Sequence, residues 1–192
     1  MSSNKWAKNV ILVDAVFLDK MGYIFRSNYE RLLKRDIGKA DLAIWLESAM
    51  LDGGLRVGDN TVQVVVLFDE NAEGFDNFLP SDFSKELNGK GFKGPLGEFR
   101  LAAFPAFSKV VSLKSFFLQT LENILQAEEV ERLVAVGDNE EYGEEITDHL
   151  AKVSDKEVTV LTSLPIKGEG FKQDLLGYSL TRALGISPDE MQ

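Results

Sequence analysis

Residues 132–146, RLVAVGDNEEYGEEI, run from an apolar stretch directly into a cluster of acids. A short apolar run that ends at a turn residue such as Asp138 predicts a buried strand. The acids that follow suit the first turn of a helix, where the helix dipole favours negative charge. Tyr142, Ile146 and Leu150 then repeat at the spacing of one helical face. The stretch therefore predicts a strand, a turn and an amphipathic helix.

The same alternation of strand and helix patterns recurs along the chain. Near-continuous apolar runs are typical of parallel strands that are covered on both faces. The predicted strands are NVILVD (9–14), TVQVVVLFD (61–69), EFRLAAF (98–104), RLVAVGD (132–138) and EVTVLT (157–162), and the predicted helices include 27–35, 40–50, 112–126 and 171–185. This order predicts an α/β fold, a single-domain three-layer sandwich with a mainly parallel five-stranded sheet.

A chain of 192 residues fits one domain, so residues 1–192 are interpreted as a single unit. The longest irregular stretch, about 70–97, is rich in Gly, Asn and Lys and is predicted to be a surface excursion. The C-terminal helix at about 171–185 ends at Gly185, a residue that commonly follows the last helical turn. Its exposed side is the predicted surface for a homodimer or another protein partner.

The composition excludes several classes of function. The chain has no cysteine and a single histidine, His149, which excludes disulfides, thiolate metal sites and multi-histidine zinc sites. No apolar run approaches the roughly 20 residues needed to cross a bilayer. The first residues, MSSNKWAKN, lack the apolar core of a signal peptide. A cytoplasmic location is the resulting expectation, with no membrane partner.

The charge of the chain is strongly negative and unevenly distributed. The formal net charge of −10 disfavours non-specific binding to nucleic acid. Residues 84–114 nevertheless carry six Lys or Arg against two Glu, and residues 128–148 carry nine acids against one Arg. Either the surface is simply of mixed sign, or a basic loop faces an acidic pocket.

One glycine motif lies in the wrong context for a nucleotide cofactor. The segment GKGFKG satisfies G-x-G-x-x-G at Gly89, Gly91 and Gly94. A dinucleotide-binding fingerprint follows a strand and opens a helix, so that the pyrophosphate meets the helix N-terminus. Here the glycines lead into a strand instead, which favours a mobile basic loop over a nucleotide cofactor.

Acids at strand ends are the more specific signal. Asp14 ends the first predicted strand, Asp138 ends the fourth, and Glu140 lies two residues further on. In an open α/β sheet, ligands bind outside the carboxyl ends of the strands where the strand order reverses. Clustered carboxylates there suit Mg²⁺ or Mn²⁺. The alternative is that each acid caps the next helix or faces water.

At these residues the chain resembles the PIN-like nuclease superfamily, especially its NYN branch. The similarity rests on ILVDA (11–15) and on the GDNE run at 137–140, which is similar to the family's Gly-Asp-x-Asp signature. The resemblance implies a sheet order of 3-2-1-4-5, which brings Asp14 next to Asp138. It also implies a nuclease or phosphodiesterase dependent on Mg²⁺ or Mn²⁺. The chain is also similar to an uncharacterised bacterial family of unknown function.

Two departures from the nuclease pattern bear on activity. Glu140 stands where the family has its second Asp, and the helix before the fourth strand offers Lys114 and Ser115 where the family has an acid. The favoured interpretation is therefore a catalytically degenerate PIN/NYN-like protein that acts as a binding or interaction module. The alternative is a metal-dependent nuclease with Asp14, Asp138 and Glu140 as ligands. Its phosphate contacts are then Lys90, Lys93 and Arg100.

Overall fold

The computed structural model describes residues 5–153 and 155–192. Its strands are β1 (Asn9–Asp14), β2 (Ala40–Asp41), β3 (Asn60–Asp69), β4 (Phe78–Leu79), β5 (Gly91–Gly94), β6 (Gly97–Ala106), β7 (Arg132–Val136), β8 (Glu157–Thr162) and β9 (Lys172–Leu175). Its α-helices are α1 (Ala15–Leu33), α2 (Leu42–Asp52), α3 (Leu113–Gln126), α4 (Asn139–Leu150) and α5 (Leu176–Ala183). A π-helical turn spans Phe83–Leu87, and a 3₁₀ turn spans Pro188–Met191.

The main sheet of the described residues has seven strands in the order β5-β6-β3-β1-β7-β8-β9. All neighbours are parallel except β5, which is antiparallel to β6. The α/β class and the mainly parallel sheet are thus confirmed, but the expected count of five strands is wrong. The two additional strands lie at the edges, and both are four residues long. Neither GFKG nor KQDL has the apolar pattern that predicts the inner strands.

Helices cover the sheet on both faces because alternate side chains of its inner strands point in opposite directions. Ile11 and Val13 of β1 enter a core with α1, α2 and α5, on what we call the α1 side. Val10 and Leu12 enter a second core with α3 and α4, on the α3 side. All six residues of β1 are buried, which explains its nearly continuous apolar sequence.

Four of the helices begin at a polar side chain that caps the first turn. The capping residues are Asp14 for α1, Asp41 for α2, Ser112 for α3 and Asp138 for α4. Such a cap satisfies a backbone N–H that the helix itself leaves unpaired, and contributes about 1 kcal/mol. Because Asp14 is both the end of β1 and the cap of α1, the helix follows the strand without a loop.

The stretch at about 70–97 is not only a surface excursion. Its Phe75, Phe78, Phe83 and Leu87 are buried in the core on the α1 side. A short β2–β4 pairing, a π-helical turn and edge strand β5 order its backbone. These large apolar side chains hold the segment against the core. Because glycines and charged residues surround them in the sequence, composition alone does not predict their burial.

The C-terminal helix is shorter than predicted. Residues Lys172–Leu175 form edge strand β9 beside β8, and α5 begins only at Leu176. The side-chain amide of Gln173 donates to the carbonyl of Ile166 and accepts from its N–H, which fixes the preceding loop against the strand. No helix among the described residues is both long enough and apolar enough to span a bilayer.

Candidate functional site

The carboxyl ends of β1 and β7 form the point where the chain leaves the sheet in opposite directions. The two strands are parallel neighbours. Helix α1 follows β1 onto one side, and α4 follows β7 onto the other. Such a switch point opens a crevice above the sheet, where α/β proteins commonly bind ligands. Asp14 and Asp138 both lie at this crevice.

The carboxylate of Asp14 is buried, and each of its oxygens accepts a hydrogen bond from the protein itself. Its Oδ1 accepts a hydrogen bond of 3.1 Å from the N–H of Phe17, and its Oδ2 accepts one of 2.5 Å from the hydroxyl of Tyr142. Burial raises the pKa of Asp14, the hydrogen bond from Tyr142 lowers it, and the charge of Asp138 raises it. The net direction is upward, because desolvation dominates.

Tyr142 reaches Asp14 from the first half of α4. The helix is irregular at this residue, with φ −136° and ψ 32°, and the ring packs against Phe117 of α3. Burial and the charge of Asp14 raise the pKa of the Tyr142 hydroxyl far above its ordinary value. The hydroxyl therefore stays protonated and acts as a hydrogen-bond donor to the carboxylate.

Asp138 and Glu140 make separate contacts at the same edge. One oxygen of Asp138 accepts from the N–H groups of Glu140 and Glu141, each at 3.1 Å, and so caps α4. Glu140 is exposed, and its carboxylate accepts from Ser163 Oγ at 3.1 Å. The second oxygen of Glu140 lies 3.7 Å from the ammonium of Lys20 on α1. An ion pair therefore crosses the switch point between the two helices.

The predicted metal ligands do not form a three-ligand arrangement. The structure brings Asp14 and Asp138 to neighbouring strand ends, but Asp14 is occupied by Tyr142 and Glu140 pairs with Lys20. Across residues 5–153 and 155–192, no group of three or more acidic or histidine side chains is placed to hold a metal ion. Binding of Mg²⁺ or Mn²⁺ at these acids remains a prediction without that geometric support.

The basic residues expected to contact phosphate lie elsewhere. Lys90 precedes edge strand β5, Lys93 lies on it, and Arg100 lies on β6, where it pairs with Glu98 at 3.2 Å. From the strand register, Arg100 is four residues short of the level of Asp14 and two strands to its side. That corresponds to about 13 Å along the strands and about 10 Å across them.

An open cleft lies next to the switch point, above the ends of β1 and β3. Its volume is about 620 Å³, and its walls include Val16, Lys20 and Tyr23 of α1, Phe68 and Asp69 of β3, and Phe83. We call it the α1 cleft. Phe68 and Phe83 stack with ring centroids 4.3 Å apart and form an aromatic wall.

Asp19 fixes the far wall of the α1 cleft to helix α1. Its carboxylate accepts from the N–H groups of Asp76 and Asn77 at 3.0 and 2.9 Å and from the Asn77 amide at 3.2 Å. These bonds hold the loop before β4 beside the helix, so the cleft is formed in advance of any ligand. Pre-formed walls reduce the ordering that binding would otherwise require.

A family model of unknown function, DUF6621, matches residues 3–191 of the chain. The chain belongs to the DUF6621 family. No curated protein and no solved structure matches it. The expected similarity to a family of unknown function is therefore confirmed, whereas the resemblance to PIN-like and NYN nucleases gains no support from these comparisons.

In this DUF6621 protein, neither the predicted strands and helices nor the acids at strand ends indicate the α1 cleft. Val16, Lys20 and Tyr23 follow each other at i, i+4 and i+7, the spacing of one helical face. That signal is present, but the predicted helix begins at residue 27, whereas α1 begins at Ala15. Met21 and Tyr23–Phe25 place apolar side chains on several faces of the helix, so the periodicity of its first three turns is weak.

The α1 cleft can contact both apolar and charged groups. Tyr23 and Val16 are exposed on one wall, and Phe68 and Phe83 are buried behind the other. Lys20 supplies a cation, and Asp69 has one oxygen committed to the N–H of Asn71 at 2.9 Å. A volume of this size falls within the range of ordinary small-molecule sites, which is about 300 to 1,000 Å³.

Proposed function

We propose that this DUF6621 protein is a ligand-binding module and that it does not hydrolyse phosphodiesters. The observation that carries the proposal is the state of Asp14: both of its oxygens accept hydrogen bonds from the protein. A metal ligand must present a carboxylate lone pair to the cation along an open approach. At Asp14 the Tyr142 hydroxyl occupies that position instead.

The proposed ligand is a small amphipathic molecule held in the α1 cleft. Its apolar part lies between Tyr23 and the wall of Phe68 and Phe83, and its polar groups meet Lys20 and Asp69. Removal of water from the exposed side chains of Tyr23 and Val16 supplies the free energy of binding, and the few charged groups fix the orientation. The Lys20–Glu140 ion pair closes the cleft toward the switch point.

The first experiment is a calorimetric titration with Mn²⁺ and Mg²⁺ on the wild type and on Asp138→Asn. No saturable heat at millimolar metal is the expected result. The same samples are assayed for hydrolysis of bis(p-nitrophenyl) phosphate. Saturable binding that Asp138→Asn abolishes, together with hydrolysis, would overturn the proposal.

Ligand binding is tested by a fragment screen observed by ¹H–¹⁵N NMR. Tyr23 is 61% exposed in the cleft, and Tyr178 is 66% exposed on α5 outside it, so the two form a matched pair. Hits are expected to shift resonances of the cleft, and Tyr23→Ala is expected to weaken them while Tyr178→Ala does not. Equal loss in both variants would contradict a site in the α1 cleft.

A metal-dependent nuclease is the second candidate, because the charge of Asp138 acts on Asp14 and raises its pKa. A divalent cation would relieve this repulsion and supply a Lewis acid for phosphodiester chemistry. Asp14, Asp138 and Glu140 would hold it after Tyr142 and Lys20 had released their carboxylates. The same titration distinguishes the two candidates.

A further inference from the structure

Within residues 5–153 and 155–192, part of the sheet on the α3 side has no helix over it. Arg100, Ala102 and Phe104 of β6 point to this side, since the intervening residues enter the core on the α1 side. Phe104 pairs in register with Leu67 of β3. Leu67 is fully buried beneath the helices, whereas Phe104 is 45% exposed. The helical layer therefore ends between β3 and β6.

The turn after β6 carries two more exposed apolar side chains. Phe107 is 55% exposed and Val110 is 85% exposed. We call the α3-side residues Arg100, Ala102 and Phe104 the open strip. Single exposed apolar residues are common, but three large ones between residues 104 and 110 indicate a site of association beside the open strip.

A groove of about 310 Å³ runs beside the open strip. Trp6, Thr61 and Gln63 line it together with Arg100 and Ala102. The strip and β5 together are two strands wide, or about 10 Å, which is the diameter of a helix with its side chains. The width of the uncovered surface therefore matches that of one helix.

The charge of the uncovered surface differs from that of the whole chain. Lys93 and Arg100 point to the α3 side, and the acid that faces them there is Glu98, opposite Lys93 in the strand register. Lys5 lines the groove beside them, so three cations and one acid are named at this surface, within a chain whose net charge is −10. A partner element with an acid and no cation on its contact face is therefore favoured.

Helix α3 itself has such a face. Its exposed residues Ser115, Gln119, Glu122 and Gln126 follow each other at the spacing of one helical stripe. These side chains are polar, and the charged residue among them is Glu122. The nearest cation, Lys114, points to α4, where it pairs with Glu145 at 2.8 Å. The outward stripe of α3 thus complements the open strip in charge.

We propose that two copies of this chain pair face to face on the α3 side, with α3 of each copy laid on the open strip of the other. A two-fold axis parallel to the strands achieves this, since it turns the uncovered edge of one copy toward the helices of the second. Each copy supplies one strip and one helix, so the contact is closed and stops at a dimer.

The position of the charges along the strands agrees with this arrangement. Rotation about an axis parallel to the strands leaves the position along them unchanged. Helix α3 leads from the end of β6 back to the start of β7, which is parallel to β6. Glu122, in the second half of α3, therefore lies toward the amino edge of the sheet, where Arg100 also lies. Glu122 of the second copy therefore meets Arg100, and Phe104 packs against the first half of the incoming helix.

Sedimentation velocity between about 5 and 200 µM protein tests the proposal, since a dimer with a micromolar dissociation constant forms in this range. A dimer is expected for the wild type. Arg100→Glu and Glu122→Arg are each expected to raise its dissociation constant at least about tenfold, because like charges then face each other. The double variant Arg100→Glu/Glu122→Arg is expected to restore the dimer.

Two controls separate this contact from general effects. Lys172→Glu reverses an exposed cation on the opposite edge strand and is expected to leave the dimer intact. Phe104→Ser is expected to give a folded monomer, with folding checked by circular dichroism. A wild type that stays monomeric overturns the proposal. So does a double variant that fails to re-associate, or a strip that binds nucleic acid or an acidic protein while the chain remains monomeric.

Discussion

The hydroxyl of Tyr142 donates a hydrogen bond of 2.5 Å to Oδ2 of Asp14, a residue 128 positions earlier in the chain. The bond joins the end of β1 to the first turns of α4 across the switch point of the sheet. It leaves the carboxylate buried but satisfied, since the other oxygen caps α1. The hydrogen bond from Tyr142 therefore stabilises the buried carboxylate and also competes with any cation for Oδ2 of Asp14.

Tyr142→Phe is expected to lower the free energy of unfolding by about 2 kcal/mol, since a buried carboxylate loses a hydrogen-bond donor. The Tyr142 hydroxyl lowers the pKa of Asp14, so the variant raises that pKa further. The loss is therefore larger at pH 8, where the charged form needs the donor, than at pH 4. Urea unfolding at both pH values measures it.

The exposed Tyr178 provides the control for this change. Tyr178→Phe removes the same atom from a side chain on the surface and is expected to change stability by less than about 0.5 kcal/mol. Equal effects of the two substitutions would show that the bond to Asp14 contributes nothing specific.

Asp52 should make the protein less stable as the pH rises. Burial, together with the charge of Asp174, raises its pKa to about 6, and Arg182 opposes the shift. The folded state therefore binds a proton more tightly than the unfolded state, whose aspartate titrates near 3.8. Stability from Asp52 is fully present below about pH 4 and is lost as the pH rises through about 6.

Asp52→Asn removes this dependence. Because the side chain is only half-buried, solvent screening reduces the effect, and the variant is expected to gain about 1 kcal/mol at pH 8 and nothing at pH 4. Thermal unfolding across this range measures it. Asp59→Asn, an equal charge change at an exposed residue, is the matched control, and a pH-independent gain at residue 52 would contradict the assignment.

The inner part of the fold could be predicted because its physical signals are local. Strands β1 and β7 are apolar runs that end at Asp14 and Asp138, and burial on both faces produces such runs. Spacing alone likewise places Tyr142 on the buried face of its helix. It does not identify the partner of the hydroxyl, since no local pattern specifies a contact between residues 128 positions apart.

Local sequence patterns do not predict the edge strands of the sheet or the α1 cleft. Strands β5 and β9 exist because their backbones pair with β6 and β8, not because their side chains alternate. Lys20 and Glu140 form a pair only because α1 and α4 meet at the switch point. Acids at strand ends therefore indicate where a site lies in the sheet, whereas the identity of their partners depends on tertiary structure.

Gly137 is expected to tolerate no side chain. A Cβ there would lie 2.8 Å from Cδ1 of Ile146 and from the ring of Phe117, both of which are fully buried. Gly137→Ala should therefore lower the free energy of unfolding by about 1 to 3 kcal/mol through overpacking. Gly38→Ala, where a Cβ meets nothing within 4 Å, is the control in the same urea titration. A Gly137→Ala protein as stable as the control would contradict the close packing.

Lys156 is expected to be far more sensitive to substitution than the nearby Lys152. Its side chain is buried, and its ammonium donates to the carbonyls of Ala127 and Val130 at 2.6 and 2.8 Å, just after α3. Lys156→Met keeps the length of the side chain but removes the donor to the Val130 carbonyl and leaves the Ala127 carbonyl only the N–H of Val130 at 3.3 Å, which should lower stability by about 1 to 3 kcal/mol. Lys152→Met, at an exposed position, should change it by less than about 0.5 kcal/mol. Chemical denaturation of both variants measures this difference. Similar midpoints would contradict the prediction and would mean that water replaces the ammonium at these carbonyls.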